Sequence, residues 1–206
     1  MKREAELPAV RRARRDDVPH LAAMLGRAFD GDPFYSFLAG PGSERHARMA
    51  EGWSGILRFA SAGLAETWTT DDRAGAAIWL PPDYGGPSII DGVRLMPSIA
   101  RLAGWRRLRL VSDALDMLEQ RRRHHLPEPH FYLSALGVDP ARQGSGVGTA
   151  LMRPVLERCD RDGTPAYLET AVARNVLLYE RLGFEVVDEL VLPGTDVHGW
   201  LMARRP

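Results

Sequence analysis

Residues 136–151, from Leu136 to Leu151, read LGVDPARQGSGVGTAL. The run that leads into them, HFYLSALGV (residues 130–138), has the composition of a strand, and Asp139-Pro140 breaks it. Gly144, Gly146 and Gly148 follow at alternate positions, and an amphipathic helix is expected over residues 148–161. Glycines at a strand-to-helix turn free the backbone to take positive φ and bring its N–H groups close to a ligand. The helix N-terminus adds unpaired donors and a partial positive charge. Together these features describe a phosphate cradle. The dinucleotide fingerprint requires G-x-G-x-x-G, which the spacing here does not meet, and no Lys-Ser or Lys-Thr follows to complete a P-loop. The stretch instead carries Gln-x-x-Gly-x-Gly, formed by Gln143, Gly146 and Gly148. A glycine-rich turn without a ligand is the plain structural alternative.

Working outward, the chain alternates strand-like and helix-like stretches. Val10 to Arg14 reads as a short strand. Asp16-Asp17 precede a Val18, Leu21, Ala22, Leu25, Ala28, Phe29 stripe, the spacing of an amphipathic helix behind acidic capping residues. The helix is expected to break at Gly31-Asp32-Pro33, with a second helical piece at PFYSFL and another helix over residues 44–61. Strands are expected over residues 64–70 and 74–80, joined by a polar Asp71-Asp72 turn, and a helical region over 88–125 interrupted near Pro97 and Gly104. After residues 130–161 come a strand over 166–171, a short helix over 174–182, and a hairpin of strands 184–191 and 197–203 around Pro193-Gly194. Such an order predicts an α/β layer architecture with a mixed sheet. No internal repeat or linker divides it, so residues 1–206 are expected to form one domain.

Composition narrows the function classes. Lys plus Arg and Asp plus Glu are 27 each, for zero formal net charge, which argues against a dedicated nucleic-acid binder. No apolar run reaches the ~20 residues of a membrane span. The N-terminal MKREAELPAV lacks the apolar core of a secretory signal. A single cysteine, Cys159, excludes an intramolecular disulfide framework and suits a reducing compartment, so the expected location is the cytoplasm. It shares a helical face with Met152, Val155 and Leu156 and is expected in the core. His124, His125, His130 and Glu128 match no ligand spacing, so no metal site is expected.

The glycine loop resembles the acyl-CoA pyrophosphate loop of the GNAT acetyltransferases. A second stretch, ARNVLLYERLGFEVV (residues 173–187), is similar to that family's other signature, in which an Asn and a Tyr on a short helix precede a Gly-Phe turn; here they are Asn175, Tyr179 and Gly183-Phe184. The likeness also takes in RRARRDDVPHL, AAIWLPP and WLMARRP, where it runs toward the puromycin N-acetyltransferases and their actinobacterial relatives. It is weaker over residues 30–62 and 83–126. The resemblance implies a mixed, mostly antiparallel sheet of about seven strands flanked by helices, splayed between strands 130–138 and 166–171. It further implies acetyl-CoA in the opening, a primary amine of a small molecule as acceptor, and direct transfer in a ternary complex. A monomer or homodimer is expected, with neither nucleic acid nor membrane as partner. Acetylation of a protein or peptide amine, and a CoA-binding sensor without catalysis, are the other readings.

The resemblance assigns roles residue by residue. Leu136, Gly137 and Val138 would pair with the pantetheine arm and expose a backbone N–H at a strand bulge. Gln143, Gly144, Ser145, Gly146, Val147, Gly148 and Thr149 would hold the pyrophosphate, with Arg142 or Arg174 adding charge. Asn175 would cap its helix or bond the cofactor arm. Tyr179 would protonate the leaving thiolate, although a phenol near ~10 is a weaker acid than a thiol near ~8.5. Glu169, an acid midway along the apolar strand AYLETA, is the candidate general base, with a structural ion pair to an arginine as the alternative. Asp30, Asp32 and His130 are lesser candidates. Phe34, Tyr35, Trp79 and Trp200 are the candidate walls of an acceptor pocket, with core packing as their alternative.

Overall fold

The computed structural model describes residues 8–40, 42, 44–61, 65–84, 97–104 and 107–206. Strands are β1 (Val10–Arg12), β2 (Glu66–Thr70), β3 (Gly75–Leu80), β4 (Phe131–Val138), β5 (Ala166–Thr170), β6 (Glu185–Val191) and β7 (His198–Arg204). Helices are α1 (Val18–Ala28), α2 (Pro33–Ala39), α3 (Arg45–Phe59), α4 (Leu108–His125), α5 (Val147–Asp162) and α6 (Ala173–Glu180). Residues 97–103 are also helical, whereas the expected helix start over 88–96 and the strand start at 64 lie outside the described residues.

The strands form one seven-stranded sheet in the order β1-β2-β3-β4-β5-β7-β6. Every neighbouring pair is antiparallel except β4 and β5. One apolar layer packs α1, α2, α3 and α4 against one face, through Leu21, Leu25, Phe37, Trp53 and Val111. The other face carries α5 and α6, through Val147, Leu151, Val155, Cys159 and Tyr179.

Two irregularities in β4 shape the centre of the sheet. Phe131, Tyr132 and Leu133 pair with Ala166, Tyr167 and Leu168, and the ladder between β4 and β5 ends there. On the opposite edge Ile78 faces Ala135 while Trp79 faces Leu133, so Ser134 is an extra residue, a β-bulge. A strand alternates sides at every residue, so one added residue reverses the phase of everything after it. Tyr132 and Ala135 therefore both belong to the α1–α4 layer, and Leu133 and Leu136 to the α5 layer. The bulge lies at Ser134 and not within Leu136–Val138, where the sequence placed it. Gly137 faces α1 as a consequence: a Cβ there would stand 2.5 Å from Leu25 Cδ2 and 3.0 Å from Phe29 Cε2. Its lack of a side chain is explained by helix packing.

Candidate active site

Beyond Leu133, β4 and β5 separate, and the opening is bounded by Ser134–Val138 on one side and Glu169–Thr170 on the other. The glycine loop closes one end. Asp139 N–H donates to Ala74 O (2.8 Å), its Oδ1 accepts from Ala141 N (3.1 Å), and its Oδ2 takes the Arg27 Nη2 ion pair at 2.5 Å. Gln143 Nε2 donates back to Val138 O (3.2 Å), and Ser145 Oγ to Arg142 O (2.6 Å). Both side chains brace the loop from within. Arg142, expected to offer charge to phosphates, is ion-paired with Asp72, while Arg174 stays exposed at the start of α6.

The glycines differ in their reasons for being there. Gly144 (φ 75°) and Gly146 (φ 83°) occupy the left-handed region, and Gly146 is the residue from which α5 starts. The helix ladder opens with Ala150 N donating to Gly146 O at 3.0 Å, so the amides just before it are the free donors of a helix N-terminus. Gly148 is not strained, and a Cβ there would meet Leu178, Val138 and Leu136 only at 3.8–3.9 Å. Neither backbone nor neighbours demand a glycine at 148. The missing side chain leaves room for one methyl group beside Leu136, Val138 and Leu178. Asn175 sits within the first turn of α6, whose N-cap is Val172, so it is not the cap.

A carboxyl and several phenols stand near the opening, Tyr35 and Tyr132 in the α1–α4 layer and Tyr179 in the α5–α6 layer. Glu169 is partly buried on β5 and accepts a hydrogen bond from the Tyr132 hydroxyl. Burial pushes its carboxyl up to about 7, against the opposing pull of Tyr132 and Arg122. Among the described residues no ion pair engages it, so the structural alternative of an arginine partner is not what is seen. Burial first, and the charges of Asp32 and Glu169 after it, raise the Tyr35 phenol on α2 above the ordinary value. Its ring lies 4.3 Å from Phe29 and 4.9 Å from Trp53, and Phe34 meets it edge-on at 5.5 Å. Tyr179 is 5% exposed, with its ring 6.0 Å from Phe184. Burial first, and Asp32 second, raise its phenol above the ordinary value, so it stays protonated.

Other candidates have structural duties. Trp79 is 0% exposed and packs in the α5 layer beside Phe131 and Leu151, so it cannot line a pocket. The reversal of phase at Ser134 does not reach β3, and Trp79 keeps the inward side there. Trp200 belongs to the same layer, partly buried, with His198 4.2 Å from its ring, on the face opposite Tyr35 and Glu169. Asp30 pairs with Arg45 and His46 (3.2 and 3.0 Å). Asp32 caps α2 by accepting from Tyr35 N at 3.0 Å. His130 bonds Arg122 and the Glu128 carbonyl, and burial lowers its pKa. Among the described residues no group of three or more His, Cys, Asp or Glu is placed to hold a metal ion. No described helix is long and apolar enough to cross a membrane. Sequence reasoning missed Tyr132; the polar-tipped ring inside an otherwise apolar strand, FYLSALGV, was its signal.

Residues 93–184, which span β4, the loop, α5, β5 and α6, match the Acetyltransferase (GNAT) family. An uncharacterized N-acetyltransferase of Schizosaccharomyces pombe is 28% identical over 186 residues, covering 85% of this chain and 74% of that protein. Among solved structures, one described as histone acetyltransferase HPA2 and related acetyltransferase, from Corynebacterium glutamicum, superposes with a TM-score of 0.73 at 22% identity, covering 97% of both chains. An agmatine N-acetyltransferase superposes with a TM-score of 0.63 at 16% identity, over 96% of this chain and 99% of the other. At these identities the structural likeness is one of fold.

Proposed function

We propose that the chain is a GNAT-type acyltransferase that uses acetyl-CoA and acetylates a primary amine of a small molecule by direct transfer within the cleft between β4 and β5, a reading supported by the family match over residues 93–184 and by the parting of the two strands. The observation that carries this reading is the parting of β4 and β5 after Leu133, with the partly buried Glu169 just beyond the last paired residues of β5. Acetyl-CoA supplies the activated acyl group. Leu136 and Val138 would flank its arm, and the amides of Gly144 through Thr149 would hold its pyrophosphate. The Glu169 carboxyl, poised at about 7, takes the proton that an amine must lose before it can attack. Tyr179 donates its O–H to the departing sulfur. With its phenol raised, complete transfer is uphill, so it serves mainly as a hydrogen-bond donor that gives up its proton late.

Tyr35 and Phe34 supply an aromatic wall for the acceptor, which favours a flat or aryl-bearing amine such as an aminonucleoside over a basic protein tail. That class agrees with the likeness to the puromycin N-acetyltransferases and makes antibiotic resistance a possible role. We read residues 1–206 as one acetyltransferase domain working in the cytoplasm, as a monomer or homodimer. Thiol release from acetyl-CoA, followed with a panel of primary amines, tests the reading. Turnover on small aryl amines is expected. Saturable CoA binding with no turnover on any amine would replace it with a sensor.

A further inference from the structure

Helix α4 brings Arg122 against β4. The Arg122 guanidinium lies 5.1 Å from the centre of the Tyr132 ring. Its Nε donates to Glu119 Oε2 at 3.0 Å, Nη2 bonds the same carboxylate, and Nη1 meets His130 Nε2 at 2.9 Å. A guanidinium has no acceptor, so His130 Nε2 must carry the lone pair and Nδ1 the proton. That proton is donated to Glu128 O at 2.7 Å. The imidazole is thereby fixed in its neutral form and adds no second positive charge. Arg122 is 13% exposed, against 30% for Glu119, so the cation sits deeper than its anion.

We propose that Arg122 is a positioning residue for proton transfer at Glu169: gripped by Glu119 and His130, it stacks on Tyr132, keeps the Tyr132 hydroxyl on the Glu169 carboxyl, and supplies a fixed positive charge facing that carboxyl. The inference rests on the reading of Glu169 as the base. The groups that face Glu169 are Tyr35 from α2, Tyr132 from β4, Tyr167 from its own strand, and Arg122 and Glu119 from α4. The phenols are neutral at working pH, which leaves Arg122 and Glu119 as the charged pair, acting with opposite sign. Planarity matters as well as charge, because a lysine cannot stack on the ring while bonding both neighbours.

The test is a carboxyl carbon-13 titration of the full chain labelled at glutamate, with the Glu169 resonance assigned by its absence in E169Q. In R122M the Glu169 midpoint is expected to rise by about one unit. In E119Q, a change near the surface that keeps Arg122, it is expected to fall below wild type. R122K should hold the midpoint near wild type yet slow thiol release with any amine the wild type acetylates. A midpoint unmoved in R122M, or moved in the same direction by R122M and E119Q, overturns the proposal. Should R122M not fold, the downward shift in E119Q is still required. The base reading is tested apart, by whether the pH dependence of the rate disappears in E169Q. A dependence that disappears there but does not move in R122M defeats the Arg122 proposal alone.

Discussion

Arg73 Nε donates to Asp17 Oδ1 at 2.6 Å, which ties the turn between β2 and β3 to the entrance of α1. Arg73 is the described non-glycine residue with positive φ, at 57°, so the turn bears some strain to make this contact. Asp17 is 1% exposed and also accepts from Arg11 Nη1 (2.7 Å), Arg11 Nη2 (3.1 Å) and Arg14 N (2.8 Å). Its carboxyl is held well below the usual carboxylate range, first by the Arg11 hydrogen bonds. D17N should cost about 2 kcal/mol at neutral pH, because it leaves Arg73 without its anion and Arg11 with only the exposed Asp71. A depressed carboxyl stabilises above its unfolded pKa of ~3.9, and that contribution is lost as pH falls through the folded value. Urea unfolding of D17N and wild type should therefore converge as the pH drops below about 4.

Gly146 and Gly148 should respond differently to alanine. G146A forces a Cβ into the left-handed region at φ 83° and should lower stability by about 1 kcal/mol. G148A adds a methyl at ordinary contact distance, so its melting temperature should match wild type. Its CoA affinity, measured by calorimetry, should fall about tenfold or more, since the methyl would fill space that the proposed cofactor arm occupies.

Tyr179→Phe should lower kcat about a hundredfold and leave the acetyl-CoA KM nearly unchanged. A hydrogen bond to sulfur that forms as charge develops affects the transition state more than binding. Undiminished kcat at neutral pH would remove the role assigned to this phenol.

The rate of acetyl transfer should rise with pH through about 7 as the Glu169 carboxyl ionises, and E169Q should abolish that rise. Stability should follow the opposite trend. The folded value lies above the unfolded ~4.3, so the favourable contribution is full below ~4.3 and disappears as pH climbs through the folded value. Between about pH 4 and pH 8, the stability difference should move toward E169Q by about 3 kcal/mol, measurable by denaturant titration.

Cys159 is 0% exposed and burial pushes its thiol up to about 11. Alkylation of the native chain near neutral pH should be negligible and should become rapid in denaturant. Thiol-release assays would then report CoA alone.

The parts of the site legible in the sequence are those built by neighbours along the chain. Gly144 and Gly146 were readable as left-handed positions, and α5 as the helix they start, because positive φ and amphipathic spacing are local properties. The same holds for the order of strands and helices, and for Glu169 as an acid misplaced in an apolar strand. Trp79 was misread because an aromatic residue on a strand gives no sign of which face it takes.

By itself the sequence determined a mixed α/β sheet, a glycine-rich strand-to-helix turn between Leu136 and Leu151, and a short helix ahead of the Gly183-Phe184 turn. Only the tertiary structure decided that β4 and β5 part after Leu133, that the bulge falls at Ser134, and that Tyr132 and Arg122 stand behind Glu169. The physical reason is register. A single extra residue in β4 reverses the sides of all that follow, and the energy that selects it comes from packing against α1 and from cross-strand pairing. Those contacts join residues more than a hundred positions apart, such as Leu25 with Gly137 and Arg27 with Asp139, and no local preference encodes them.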